Sequence, residues 1–254
     1  MTAQAATPDE VMTVNAAREL RDGQVCLVGV GPPNAAANLA RRLHAPDCVL
    51  VYESGAIGAR PTQLPLSIGD DDLAATADVL VSVPEMFNYW IGGGRIDVGF
   101  LGAAQIDRAA NLNTTVIGPY ARPQVRLPGA GGAPEIATAS RTVIVLLRHS
   151  PRTFVEKLDF VTSRGPGPAT GSATTAERTA ARGTTIVITD LGVMRPSPED
   201  GELELVAVHP GVTVEEVLGA TGWPLRVREP VAVTAPPDER ELVTLRALRA
   251  REQA

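Results

Sequence analysis

The sequence predicts an α/β fold in three layers, a mostly parallel sheet with flanking helices. Two continuous apolar runs, VCLVGV at 25–30 and CVLVY at 48–52, read as strands covered on both faces. AAANLARRL lies between them and reads as a helix, and strand, helix, strand in that order makes a parallel βαβ unit. Further apolar runs at 79–83, 97–101, 142–148, 184–190 and 203–208 extend the sheet.

The first helix is expected over 10–22, where Val11, Val14, Ala17 and Leu20 share one face and Gly23 stops the run. The turn GPPN follows the first strand, with Asn34 as the expected cap of the second helix. Asp70, Asp71 and Asp72 form an acidic turn ahead of a helix, where negative charge suits the helix dipole. Two helices close the chain near 213–220 and 237–250. Residues 163–183 are rich in Gly, Ala, Ser and Thr, and a mobile surface excursion is expected there. Nothing else resembles a linker and no period of 20–50 residues is present, so residues 1–254 are expected to form one domain.

Composition narrows the class. A chain of 254 residues, 44% hydrophobic, can bury enough surface to fold without disulfides or metals. A net charge of −6 disfavours a nucleic-acid partner, which needs concentrated Lys and Arg. No apolar run approaches the roughly 20 residues of a membrane span. MTAQAATPDEVMT lacks the basic and apolar regions of a secretory signal. Cys26 and Cys48, both in apolar runs, read as buried free thiols in a reducing compartment. The expected location is cytoplasmic.

Three segments can carry chemistry. In Tyr52-Glu53-Ser54-Gly55 an apolar strand ends and a carboxylate appears at once, at the strand end where ligands gather in parallel sheets. Gly55 and Gly58 would turn the backbone sharply and leave room for a bulky substrate. The bland alternative for Glu53 is a cap on the next turn. LPGAGGAPE, from Leu127 to Glu135, exposes amides at Gly129, Gly131, Gly132 and Ala133 that can hold a developing oxyanion. A flexible surface turn is its alternative. GGGRIDVGFLGAAQID, from Gly92 to Asp107, crowds small residues at both ends of a strand, which points to close approach by a ligand or a neighbouring subunit. Gln105 and Asn113 are candidate hydrogen-bond partners there, with structural roles as the alternative. Arg60 either binds a distal carboxylate or pairs with a surface acid. His44, His149 and His209 have no metal spacing, so no metal site is expected, and Trp90 and Trp223 read as packing residues.

Taken together these segments resemble the β subunits of class I coenzyme A transferases. VYESGAIGARPTQLPLSIGD is similar to the family's catalytic-glutamate segment, and Glu53 falls on its nucleophile. GGRIDVGFLGAAQID, NLNTTVIG and VRLPGAGGAPEIA resemble later family blocks, continued by RTFVEKLDFVTS, ITDLGVM, VHPG and TGW. The likeness runs over nearly the whole chain and is strongest to the type that acts on 3-oxoadipate and is related to glutaconate CoA-transferase.

The resemblance implies a fold shared with certain sugar-phosphate isomerases and an α-subunit partner, commonly in an α2β2 assembly. It implies no permanently bound cofactor, with a coenzyme A thioester and a carboxylic acid as substrates. It gives Gly131 and its neighbours oxyanion and thioester contacts, and leaves Glu135 as a holder of the loop. An acyl-CoA hydrolase, a non-catalytic partner subunit and a sugar-phosphate isomerase remain open on the same scaffold.

Overall fold

The computed structural model describes residues 5–166 and 184–250. Most of the expected excursion, 167–183, lies outside the described residues. Its first residues are tied down. Ser163 is buried and exchanges backbone hydrogen bonds with Leu112, and the Gly165 amide donates to Asn111 Oδ1 at 2.9 Å.

Five parallel strands form the centre of a ten-stranded sheet: β1 (Val25–Leu27), β2 (Val49–Val51), β5 (Val98–Leu101), β10 (Thr142–Leu146) and β11 (Thr184–Ile188). Their spatial order is β2-β1-β5-β10-β11. Beyond β2 lie two short antiparallel strands, β3 (Ala56–Ile57) and β4 (Val79–Leu80). Beyond β11 the sheet reverses through β12 (Gly192–Pro196) and β13 (Leu203–Val208), and ends on β14 (Arg226–Val233), parallel to β13. Two small hairpins stand apart, β6 (Gln105–Ile106) with β7 (Leu112–Asn113), and β8 (Val116–Ile117) with β9 (Val125–Arg126).

Both faces of the central strands are buried, and alternate residues serve opposite layers. Cys26, Leu50, Phe100, Ile144 and Ile186 face one cluster, while Leu27, Val51, Leu101, Val143 and Val187 face the other. That is the physical reason the strands read as continuous apolar runs.

The first layer holds α1 (Pro8–Arg18), α2 (Pro32–Leu43) and the last helix, α7 (Glu239–Arg249). Thr7 and Glu10 cap α1 reciprocally, so it starts before the expected residue 10. Helix α2 begins at Gly31, with two prolines in its first turn. Asn34 is therefore inside the helix, where it is buried and accepts the Tyr52 hydroxyl at 2.9 Å. Arg18 grips Glu241 through two hydrogen bonds and Arg246 grips Glu10 likewise, which docks α7 onto α1.

The second layer holds the single turn α4 (Val83–Glu85), a π-helical turn (Met86–Ile91), α5 (Ala133–Ala139) and the short α6 (Val214–Gly219). On the far edge of the first layer, Asp70 caps α3 (Asp71–Thr76), which accounts for the acidic turn. Cys26 and Cys48 are buried free thiols 3.3 Å apart on neighbouring strands.

His149 follows β10 and stacks on Phe154, with ring centroids 3.8 Å apart. Its nitrogens meet the hydroxyls of Thr189 and Thr221. Burial holds its imidazole down at about 4, against which nearby Asp190 pulls weakly. The ring is thus neutral when folded but protonates near 6.5 when unfolded. Its contribution is fully present above pH 6.5 and is lost as pH falls toward 4, about 3 kcal/mol at most. We expect the melting temperature to drop across that window. His149→Gln should start lower at pH 7.5 and fall less steeply, as followed by thermal denaturation against pH.

Candidate active site

Chain direction changes sides between β1 and β5. From β1 the chain crosses through α2 to β2 on one side, and β5 enters on the other. A crevice opens at the carboxyl ends of strands at such a switch point. A cleft of about 560 Å³ lies there, walled by Leu27, Leu101 and Ile136 and rimmed by Pro32, Thr114 and Leu127. Glu53 is the one ionisable side chain among its lining residues.

A tight turn carries Glu53 to this cleft. The Gly55 amide donates to Tyr52 O at 2.9 Å, and the Tyr52 amide donates to Ala56 O at 2.9 Å. Tyr52 is fully buried, and its hydroxyl bond to Asn34 pins the base of the turn. Gly55 has φ +105, and a Cβ there would lie 1.9 Å from the Val81 carbonyl oxygen. A Cβ on Gly58 would meet Asp78 Oδ2 at 2.2 Å. The space these glycines clear is filled by the chain's own next strand, which replaces the expected room for substrate. Gly55 is buried, and neither it nor exposed Ser54 lines the cleft.

The loop from Leu127 to Ala133 forms the opposite wall. Gly129 and Gly131 both have positive φ, and a Cβ on either would meet nothing within 4 Å. Gly132 differs. A Cβ there would sit 2.7 Å from the Phe87 ring and 3.1 Å from Glu53 Oε1, so glycine lets the three groups meet. The Gly129 amide donates to Thr114 O and the Ala133 amide to Ala130 O. Both are occupied, the first by the neighbouring segment and the second within the loop. Among the described residues the amides of Gly131 and Gly132 make no hydrogen bond, and both glycines line the cleft with Glu53.

No described residue donates a hydrogen bond to the Glu53 carboxylate. Burial, and then the negative charge of Glu135, push its carboxyl above the usual carboxylate range. None of the glycine-loop amides donates to it. A partly desolvated carboxylate in a cleft that also holds free amides can attack an electrophilic carbonyl, and such amides can take up developing negative charge.

Gln105 and Asn113 lie behind the wall. The Asn113 amide donates to Gln105 Oε1 and Val116 O, and the Gln105 amide donates to Asp159 Oδ2. They brace the β6–β7 hairpin against Asp159 and Val116, and neither lines the cleft. Of the small residues around β5, Gly102, Ala103 and Ala104 line the cleft, while Gly93 and Gly99 admit the chain's own helices. A Cβ on Gly99 would strike Ser140 and Ile136 of the α5 region, and one on Gly93 the Tyr89 carbonyl. Arg60 pairs with Asp78 at the surface. Trp223 is buried against Phe154, and Trp90 is half-buried. Among the described residues no group of His, Cys, Asp and Glu could hold a metal, and no helix is long and apolar enough to cross a membrane. Sequence reasoning missed Phe87, Pro32 and Thr114. Only the GPP turn after the first strand signalled one of them.

Known proteins share this arrangement. The coenzyme A transferase family matches residues 10–220. One chain of the 3-oxoadipate CoA-transferase of Pseudomonas knackmussii is 56% identical, over 97% of this chain and 94% of its own. The corresponding chain of the glutaconate CoA-transferase of Acidaminococcus fermentans is 35% identical, over 91% of this chain and 88% of its own. The crystal structure of glutaconate CoA-transferase from that organism superposes with a TM-score of 0.85 at 33% identity, covering 95% and 94% of the two chains. With a match of that length and relatives that span almost their whole length, the chain belongs to the coenzyme A transferase family.

Proposed function

We propose that this chain is the catalytic β subunit of a transferase that moves coenzyme A from succinyl-CoA to 3-oxoadipate, with Glu53 as the nucleophile. The observation that carries the reading is Glu53 itself, the one ionisable side chain on an apolar cleft that also exposes the free amides of Gly131 and Gly132. The donor and acceptor rest on likeness to the Pseudomonas transferase. That protein and the glutaconate enzyme are both named as one of several subunits, which supports an α partner, and we propose an α2β2 assembly.

The reaction runs in two covalent halves. The Glu53 carboxylate attacks the thioester carbonyl, the C–S bond breaks, and an acyl-glutamyl anhydride and coenzyme A thiolate form. The thiolate then attacks the glutamyl carbonyl and releases the donor acid, leaving a glutamyl-CoA thioester. The acceptor acid reverses both steps and restores the carboxylate. The amides of Gly131 and Gly132 stabilise each oxyanion, and removal of one such donor typically costs about 3 kcal/mol in the transition state. Water must be kept from the anhydride. The α subunit would complete the cleft and exclude it.

The deciding experiment is borohydride trapping of the complex after addition of succinyl-CoA. A reduced glutamyl thioester at residue 53 is expected, and its absence in an active preparation overturns the assignment. Glu53→Gln should cut kcat at least a thousandfold. It should also raise the melting temperature at neutral pH. The folded carboxyl holds its proton to higher pH than the unfolded one, so ionisation destabilises the fold as pH rises through that window, and Gln removes the effect.

Glu135→Gln removes the second cause of the raised Glu53 carboxyl. The acid limb of the pH–rate profile should therefore move to lower pH. An unmoved limb would show that Glu135 does not act on the nucleophile. Gly132→Ala should lower kcat by roughly 10²-fold while the protein stays folded, because a displacement of about 1 Å at a reacting group costs that much. Steady-state rates and circular dichroism test it together.

A further inference from the structure

One surface feature near the cleft is not used by the chemistry above. Tyr120, at the tip of the β8–β9 hairpin, is 59% exposed and stacks on Phe160, with centroids 5.5 Å apart and an interplanar angle of 25°. The Arg126 guanidinium lies over the Tyr120 ring, 5.1 Å from its centroid. Val125 and Val161 flank the stack and are about half exposed, at 50% and 48%. Arg122, also exposed, sits on the same hairpin tip.

An isolated exposed aromatic needs no explanation, whereas two stacked rings topped by a guanidinium form a surface with defined chemistry. Aromatic faces and guanidinium planes stack on purine bases, and arginine pairs with phosphate. The cations are available. Several arginines are engaged with Asp or Glu, such as Arg60, Arg108 and Arg226, but among the described residues Arg122 and Arg126 make no ion pair.

Both supports of the platform are rooted in the cleft wall. Arg126 precedes Leu127, which lines the cleft. Phe160 lies two residues before Thr162, whose hydroxyl accepts the amide of the cleft residue Thr114 at 3.0 Å. The platform is thus joined through Leu127 and Thr114 to the wall of the cleft that holds Glu53.

We infer that Tyr120, Phe160 and Arg126 form the subsite for the nucleotide end of coenzyme A. The adenine stacks on the exposed Tyr120–Arg126 surface, and Arg126 and Arg122 face its phosphates. This rests on the coenzyme A thioester reading of the cleft.

The test uses the full chain co-expressed with its α subunit. Binding of the phosphoadenosine diphosphate fragment of coenzyme A is measured by calorimetry. Rates are measured in parallel with the coenzyme A thioester and with the matching pantetheine thioester, which lacks the nucleotide. Tyr120→Ala and Arg126→Ala should each weaken the fragment about tenfold and raise KM for the coenzyme A thioester alike, with the pantetheine thioester unchanged. Tyr120→Phe should behave as the parent.

Unchanged fragment binding in both Ala variants overturns the inference, as does no fragment binding by the parent. An equal loss on both thioesters overturns it in favour of a structural role. Loss of α-subunit association in Tyr120→Ala overturns it in favour of a subunit interface. A parent complex that binds the fragment but transfers no coenzyme A would defeat the transferase reading and leave the subsite standing.

Discussion

The site depends on one contact that no side chain can share. Gly132 brings its backbone against both the Phe87 ring and the Glu53 carboxylate, and a single added carbon would sit 2.7 Å from the first and 3.1 Å from the second. Each of the three arrives from a different element. Glu53 comes from the turn after β2, Phe87 from the π-helical turn, and Gly132 from the start of α5. The sheet sets the positions of all three, because α5 rests on β5 at Gly99, another place where a Cβ would collide. The chemistry of the cleft therefore hangs on packing distances that a methyl group exceeds.

The same geometry explains the electrostatics. A carboxylate brought into an apolar wall loses hydration, and here no donor among the described residues replaces the lost water. Its raised proton affinity is the consequence, and Glu135 adds to it. Strain of this kind is common where a group must react, because a fully satisfied carboxylate is a poorer nucleophile. The buried Tyr52–Asn34 bond holds the turn beneath it while its tip stays uncompensated.

Much of the sheet is legible in the sequence, because strands buried on both faces are apolar at nearly every position and lack the alternation of amphipathic elements. Glu53 is legible for the same reason, as the first charge after such a run. Of the strands beyond β11, 203–208 is legible as β13, while β12 and β14 are not. β12 carries Arg195 and Pro196, and β14 mixes Arg226, Arg228, Glu229 and Pro230, so neither shows an apolar period. The π-helical turn at Met86–Ile91 leaves no pattern that separates it from a helix, and Phe87 is hidden with it. Glycines are recognisable as places of close approach, but sequence cannot say what approaches. At Gly55, Gly58, Gly93 and Gly99 it is the protein's own chain. Gln105 and Asn113 mislead similarly, since polar residues near a site and polar residues bracing its wall look alike in one dimension.

Helix α2 has a consequence of its own. It is enclosed by the sheet on one side and by α1 and α7 on the other, and Ala35, Ala36, Ala37 and Ala40 let it fit. Its first turn supplies Pro32 and Pro33 to the cleft. A close-packed interior yields little to added volume. A larger residue at any of these alanines would displace the helix that carries both prolines, so the fit of α2 in the core governs the mouth of the cleft.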